Sequence, residues 1–180
     1  MVTKEEIDLA GVRIVPLAAH TDERGLFVEV FRDEWDTGPR PIQWNVVRSR
    51  GRVMRGVHVH PTHHDYLTVL DGVLVLGLHD LRPDSPSAGL STMLTIDADA
   101  PVAVAIPPGV CHGFWFPEPA VHLYGVDSYW DVEDELGCRY DDPALGLDWA
   151  APADPLLSER DRLAPDYATM RAAYLARASR

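Results

Sequence analysis

Little in this 180-residue chain could serve as a covalent framework or a membrane anchor. There are two cysteines, Cys111 and Cys138, and no CxxC pair, which excludes a disulfide scaffold and a thiol-rich zinc site. No apolar run approaches the roughly 18 residues of a membrane-spanning helix. The N-terminus, Met-Val-Thr-Lys-Glu-Glu-Ile, lacks the apolar stretch of a signal peptide. Positive charge is also scarce: 16 Lys and Arg against 28 Asp and Glu leave a net charge of −12. That balance argues against non-specific nucleic-acid binding and against anionic membranes. These absences point to a cytoplasmic protein with free thiols and neither a nucleic-acid nor a membrane partner.

The length fits one domain spanning 1–180, and a 46% hydrophobic content is enough for a core. Short apolar segments with intervening turn signals dominate the first two thirds. Segments 26–31, 42–47, 66–70, 73–78, 90–96, 102–106 and 121–129 read as strands. Asp71-Gly72, Pro83 to Pro86, Pro107-Pro108-Gly109 and Pro117-Glu118-Pro119 separate several of them. This spacing predicts a sandwich, jelly roll or barrel over about 11–149. From about 164 to 178 the pattern changes to helical spacing of Tyr167, Met170, Tyr174 and Leu175, with Pro165 in the first turn. An anionic substrate would need a local basic cluster against the acidic background. Arg48, Arg50, Arg52 and Arg55 offer one, although such runs are often only a solvated strand edge.

Two segments carry the chemistry: Arg55-Gly-Val-His-Val-His-Pro-Thr-His-His-Asp65 through Gly72, and Ile106-Pro-Pro-Gly-Val-Cys-His112-Gly. They resemble the two motifs of a cupin, which implies an all-β, double-stranded β-helix (jelly roll), here with a short C-terminal helix. Residues i and i+2 of a strand share a face, so His58 and His60 project together. The cupin resemblance implies a ligand set of His58, His60, Asp65 and His112. Three imidazoles and a carboxylate suit a divalent first-row metal such as Fe, Mn, Ni or Zn. Against this stands the composition of the loop, where His63 and His64 show a local excess of histidine.

Further segments resemble one family in particular. They are Asp22 to Glu29, Gln43-Trp44-Asn45, Arg55 to His58, Asp80 to Pro86, Ile106 to Phe114, Leu123-Tyr124, Asp141 to Trp149 and Leu157 to Asp161. In this order, from about residue 10 to 165, they are similar to the dTDP-4-dehydrorhamnose 3,5-epimerases. The resemblance implies an isomerase acting on a dTDP-linked 4-keto-6-deoxysugar at carbon 3, carbon 5 or both, without a cofactor. Inverting a carbon beside a ketone requires a base and an acid on opposite faces and a positive group or donor at the enolate oxygen. The resemblance implies His58 as base, Asp161 as its paired carboxylate and Tyr124 as the acid. It implies substrate contacts by Arg24, Glu29, Gln43, Asn45, Arg55 and His112, a ring face for the thymine from Tyr129, and a positive charge from Arg162. It also implies a homodimer in which the N-terminal segment reaches the partner's site.

Departures from the family pattern gather at the same place. His60 stands where Gln is usual, Asp65 where Lys is common, and Leu76 where an acidic partner of His112 is expected. A carboxylate in place of a cation opposes enolate chemistry unless a metal or another arginine offsets it. Three readings follow: the epimerase, a metal-dependent cupin enzyme on a related substrate, and a non-catalytic cupin that binds sugar nucleotides. A metal on His58 would occupy the lone pair that a base needs.

Overall fold

The computed structural model of the chain describes residues 7–129, 131, 134–151 and 154–178. Twelve strands lie within them: β1 (Arg13–Pro16), β2 (Ala19–Asp22), β3 (Gly25–Val28), β4 (Gln43–Ser49), β5 (Val53–Val59), β6 (Asp65–Asp71), β7 (Val73–Asp80), β8 (Ser91–Asp97), β9 (Val102–Ile106), β10 (Val110–Phe116), β11 (Ala120–Val126) and β12 (Leu136–Gly137). The helices are α1 (Glu159–Arg162) and α2 (Tyr167–Ala178).

The strands form two five-stranded sheets, in orders β1-β9-β6-β11-β4 and β12-β5-β10-β7-β8, and a β2–β3 hairpin. The pairings within both sheets are antiparallel. This is the cupin-type jelly roll. Its inner core packs Leu67, Val69, Leu74, Leu76, Leu78, Ile96, Val104, Ile106 and Phe116, eight of them in the alternating runs that read as strands. A second cluster coats the other side of the β5–β10 sheet, where Met54, Val57, Cys111 and Trp115 meet Trp149, Met170 and Tyr174. Trp149 fits because glycines lie beneath it: a Cβ at Gly113 would come within 2.8 Å of the ring. The C-terminal segments are thereby seated on the barrel by burial of large aromatic surface.

Several boundaries differ from those expected. The strand read from residue 26 stops at Val28, and Phe31 turns in against Trp44 and Tyr66. β11 stops at Val126, which leaves Tyr129 75% exposed. α2 begins at Tyr167 rather than near 164. The Asp166 carboxylate accepts from the Thr169 N–H at 2.8 Å, as a helix N-cap does, so Pro165 lies before the helix and not in its first turn. α1, a single turn capped by Ser158, was not foreseen.

One irregularity shapes the cavity. β5 and β10 pair His58 with His112 and Arg55 with Phe114, so three steps on one strand oppose two on the other. The extra residue shifts the parity of β5 at Gly56, whose φ is +92°. Arg55 and His58, which strict alternation would put on opposite faces, therefore both face inward. A Cβ at position 56 would lie 3.0 Å from the His112 carbonyl oxygen, so the close approach of the strands favours glycine there.

Candidate active site

The inward faces of the two sheets enclose a cavity of about 520 Å³. β4 contributes Gln43, Asn45 and Val47; β11 contributes His122, Tyr124 and Val126; β6 contributes Asp65 and Leu67. The opposite wall holds Arg55 and His58 from β5 and His112 and Phe114 from β10. His60, His63, Glu135, Ser158, Arg160 and Asp161 close the rim.

His58 is held from both sides. Its Nε2 lies 2.8 Å from Asp161 Oδ1, and its Nδ1 lies 3.6 Å from Glu135 Oε1. Asp161 is 7% exposed and also accepts from the Ser158 hydroxyl at 2.8 Å, while the Ser158 oxygen accepts from the Asp161 backbone N–H. Burial raises the pKa of this carboxyl, but the hydrogen bonds from His58 and Ser158 outweigh it and hold the pKa below its ordinary value. Asp161 is thus an ionised acceptor for Nε2–H, and that tautomer leaves the lone pair on Nδ1. Arg160 Nη1 pairs with Glu135 Oε2 at 2.5 Å, which offsets the carboxylate beside His58.

Tyr124 faces His58 from the other sheet. Burial and the nearby acids Asp65 and Glu135 push its phenol above the ordinary value, so it stays protonated at neutral pH. Beside it, His122 is buried between Phe116 and the Tyr124 ring, and burial followed by the charge of Arg55 lowers it to about 4. Two buried polar atoms in this wall, Asn45 Nδ2 and His122 Nδ1, have no hydrogen-bond partner among the described residues.

Deeper along the same rim, His60, His63 and His112 surround Asp65. Their Nε2 atoms lie 3.7, 4.0 and 4.0 Å from Asp65 Oδ2. Burial, then the neighbouring acids, lifts the Asp65 carboxyl well above its ordinary value. Burial lowers His60, and lowers His112 to about 3. The ligand atoms of His60, Asp65 and His112 lie within 4.8 Å of one another, whereas His58 joins no such group among the described residues. Of the four residues in the implied ligand set, the structure brings His60, Asp65 and His112 together and turns the His58 ring to Asp161. The i, i+2 rule lapsed because β5 ends at Val59 and His60 lies beyond it. Leu76 is buried in the inner core, and His112 donates from Nδ1 to the Val110 carbonyl at 3.3 Å in place of a carboxylate.

Of the other residues singled out in the sequence, Gln43, Asn45 and Arg55 line the cavity. Arg24 sits on the exposed β2–β3 hairpin, paired with Asp22, and Glu29 pairs with Arg32. Arg162 points outward to the Leu157 carbonyl, and its neighbour Arg160 takes the position at the rim. In the basic run, Arg48 is on the outer face of β4 and Arg52 pairs with Asp154, so only Arg55 reaches the cavity. Glu135, Arg160, His122 and Ser158 were missed. Glu135 lies in an acidic stretch that reads as solvated surface, while the Ser-x-x-Asp spacing of Ser158 and Asp161 was a capping signal open to notice.

A sequence profile of the dTDP-4-dehydrorhamnose 3,5-epimerases matches residues 6–169. A protein of that description from Neisseria gonorrhoeae is 32% identical over 160 residues, covering 85% of this chain and 49% of the relative's length. A dTDP-4-dehydro-6-deoxyglucose 3-epimerase from a Streptomyces species is 31% identical, covering 83% of this chain and 81% of its own. The crystal structure of a 3,5-epimerase from Legionella pneumophila in complex with dTDP-4-keto-L-rhamnose superposes with a TM-score of 0.85 at 27% identity, covering 93% of each chain.

Proposed function

Because the chain belongs to the dTDP-4-dehydrorhamnose 3,5-epimerase family, we propose that it epimerises a dTDP-linked 4-keto-6-deoxysugar at the carbons beside the ketone. The observation that carries this reading is the His58–Asp161 pair at 2.8 Å on one wall of a cavity whose opposite wall presents a protonated Tyr124. His58 Nδ1 removes the proton beside the ketone, and the electron pair moves onto the ketone oxygen as an enolate. Asp161 stabilises the imidazolium so formed, and Glu135, 3.6 Å from Nδ1, adds a second negative charge beside it. Tyr124 returns a proton from the opposite face, which inverts the carbon. No cofactor takes part in either transfer.

Arg55 lines the cavity from the same strand as His58, and its Nε is positioned by a 3.1 Å bond to Ser49 Oγ. It can face the enolate or the pyrophosphate. Asn45 Nδ2 and His122 Nδ1, buried without partners, suit the hydroxyl groups of a sugar. Gln43, on the same wall as Asn45, completes the substrate contacts. The family contains both double epimerases and 3-epimerases, so the number of exchanging carbons separates the two outcomes.

A homodimer accounts for the residues that stand outside the cavity. β4 is the last strand of its sheet and exposes Trp44 and Val46, and the hairpin carrying Arg24 exposes Leu26 and Phe27. In this arrangement Arg24 and Glu29 reach the partner's cavity, while Tyr129 and Arg162 meet the nucleotide. A solution mass of one 20.0 kDa chain overturns it. Among the described residues no helix is long and apolar enough to cross a membrane, and both cysteines are buried thiols, in keeping with the cytoplasm as its place of action.

The test is solvent exchange. Chelator-treated protein is incubated with dTDP-4-keto-6-deoxyglucose in deuterated water, and the sugar nucleotide is weighed against a control without enzyme. A gain of about one mass unit indicates one exchanging carbon and about two indicates both. His58→Asn should abolish the gain while a dTDP-induced rise in melting temperature persists. No gain with the parent protein, at any time before non-enzymatic exchange sets in, sinks the reading.

A further inference from the structure

The cluster around Asp65 has no part in the proton transfers, and its arrangement is that of a binding site. The four side chains are buried: His60 is 8% exposed, His63 6%, Asp65 7% and His112 4%. Each imidazole has its Nδ1 committed elsewhere. His60 Nδ1 faces the Asp134 carbonyl at 3.4 Å, His63 Nδ1 faces Asp134 Oδ2 at 2.6 Å, and His112 Nδ1 faces the Val110 carbonyl at 3.3 Å. Carbonyls and carboxylates only accept, so the proton of each neutral ring belongs on Nδ1. Three Nε2 lone pairs then converge on one carboxylate oxygen. At 3.7–4.0 Å they are too far for hydrogen bonds and supply no proton to share. Such a set of converging acceptors, buried in the cavity wall, is one that a cation satisfies.

The spacing admits one. Ligand atoms about 2.1 Å from a tetrahedral metal stand about 3.4 Å apart; those of His60, Asp65 and His112 already lie within 4.8 Å of one another and close inward on an ion, while His63 Nε2, 4.0 Å from Asp65 Oδ2, lies outside that group and turns further to join it. Orientation of ligand histidines through Nδ1–H to a carbonyl or carboxylate is how metal sites fix the tautomer. Asp134 fills that supporting place. Its Oδ2 already accepts from the Thr62 hydroxyl at 2.8 Å as well as from His63, which argues against it as a ligand.

We propose that His60 Nε2, His112 Nε2 and the Asp65 carboxylate bind a divalent first-row transition metal, with His63 Nε2 as a fourth donor and His58 outside the coordination sphere. Nitrogen-rich sites with one carboxylate favour zinc, iron(II), cobalt(II) or nickel over magnesium or calcium. Base and metal then coexist in one cavity, because Asp161 holds the His58 ring through Nε2. In an epimerase, and resting on that reading, a cation here supplies the positive charge beside the ketone oxygen that a carboxylate at position 65 would otherwise oppose.

Metal binding is measured without turnover. Untagged protein is stripped with chelator, equilibrated with cobalt(II) or zinc(II), desalted and assayed for metal. Visible ligand-field bands and X-ray absorption of the cobalt form report the number of coordinated imidazoles. About one metal per chain and two or three imidazoles are expected. Occupancy should fall below about a tenth in Asp65→Asn and in His112→Gln, and Asp134→Asn should weaken binding roughly 10- to 100-fold. It should remain near one in His58→Asn. Less than about a tenth of a metal in the parent chain overturns the proposal, as does a cobalt spectrum without imidazole. Retention in both ligand variants, or loss in His58→Asn, overturns the ligand assignment. If a ligand variant does not fold, the imidazole count on the parent protein decides. Deuterium exchange by the stripped protein tests the epimerase reading separately, so failure of one is not failure of the other.

Discussion

Asp80 and Asp65 are both buried aspartates at the end of an inner strand, and the fold treats them in opposite ways. The Asp80 carboxylate, at the end of β7, accepts from Arg82 Nε and Nη2 and from the hydroxyls of Ser85 and Ser87, at 2.5–2.8 Å. Burial raises its pKa, but those bonds outweigh it and hold the carboxyl below the usual range. Asp65, at the start of β6, faces three imidazoles beyond hydrogen-bond distance, and burial leaves it well above that range. A carboxylate surrounded by donors belongs to the architecture, since its partners come from its own turn. One surrounded by acceptors is held ready for something the chain does not itself provide. Asp161 lies between the two: it is fully bonded, yet one of its bonds goes to a cavity base.

The sharpest way to separate these roles is to neutralise each carboxylate in turn. Asp161→Asn should produce the largest loss, about 10²- to 10⁴-fold in the rate of solvent-deuterium exchange into the sugar, with the melting temperature little changed. A variant that keeps the parent's exchange rate removes Asp161 from the mechanism. Asp80→Ala should act on folding instead. Removing one partner of a buried ion pair costs about 3 kcal/mol here, the low end for such pairs because the Arg82 side chain keeps 24% of its exposure. That corresponds to a melting temperature about 6–12 °C lower in denaturation scans, with exchange activity per folded molecule preserved. Asp65→Asn in the metal-free protein should stay within about 1 kcal/mol of the parent, because the three imidazoles lie beyond hydrogen-bond distance and no such bond is lost.

A smaller effect follows from pH. The folded-state pKa of Asp80 lies below its unfolded value, so its stabilisation is complete above the ordinary carboxylate range and fades as pH falls through that range toward the folded value. Urea denaturation of parent and Asp80→Ala should therefore differ fully at pH 7 and converge in acid. A gap that stays constant to the acid limit would mean that packing, not charge, holds the turn.

Much of this was legible in the sequence because the relevant patterns are local. Alternation marked the inner strands, and the order of short motifs placed His58, Tyr124 and Asp161 around one cavity although 103 positions separate His58 from Asp161. What escaped depends on a phase shift or on distant chain. The parity change at Gly56 puts Arg55 and His58 on one face against strict alternation, and the end of β5 at Val59 removes His60 from that pattern. Arg160 and Arg162 flank Asp161 on a single helical turn, and nothing local chooses which faces inward. Glu135 and Asp134 read as a solvated acidic run, because their histidine partners lie more than 70 residues earlier.

Asp161 follows all twelve strands along the chain and comes to His58 on a turn that lies beyond Trp149, which packs over Gly113. During synthesis, the strands that hold His58 and Tyr124 emerge from the ribosome before the carboxylate that arms the base. A chain that ends before Ser158 therefore carries the histidine without the carboxylate that arms it.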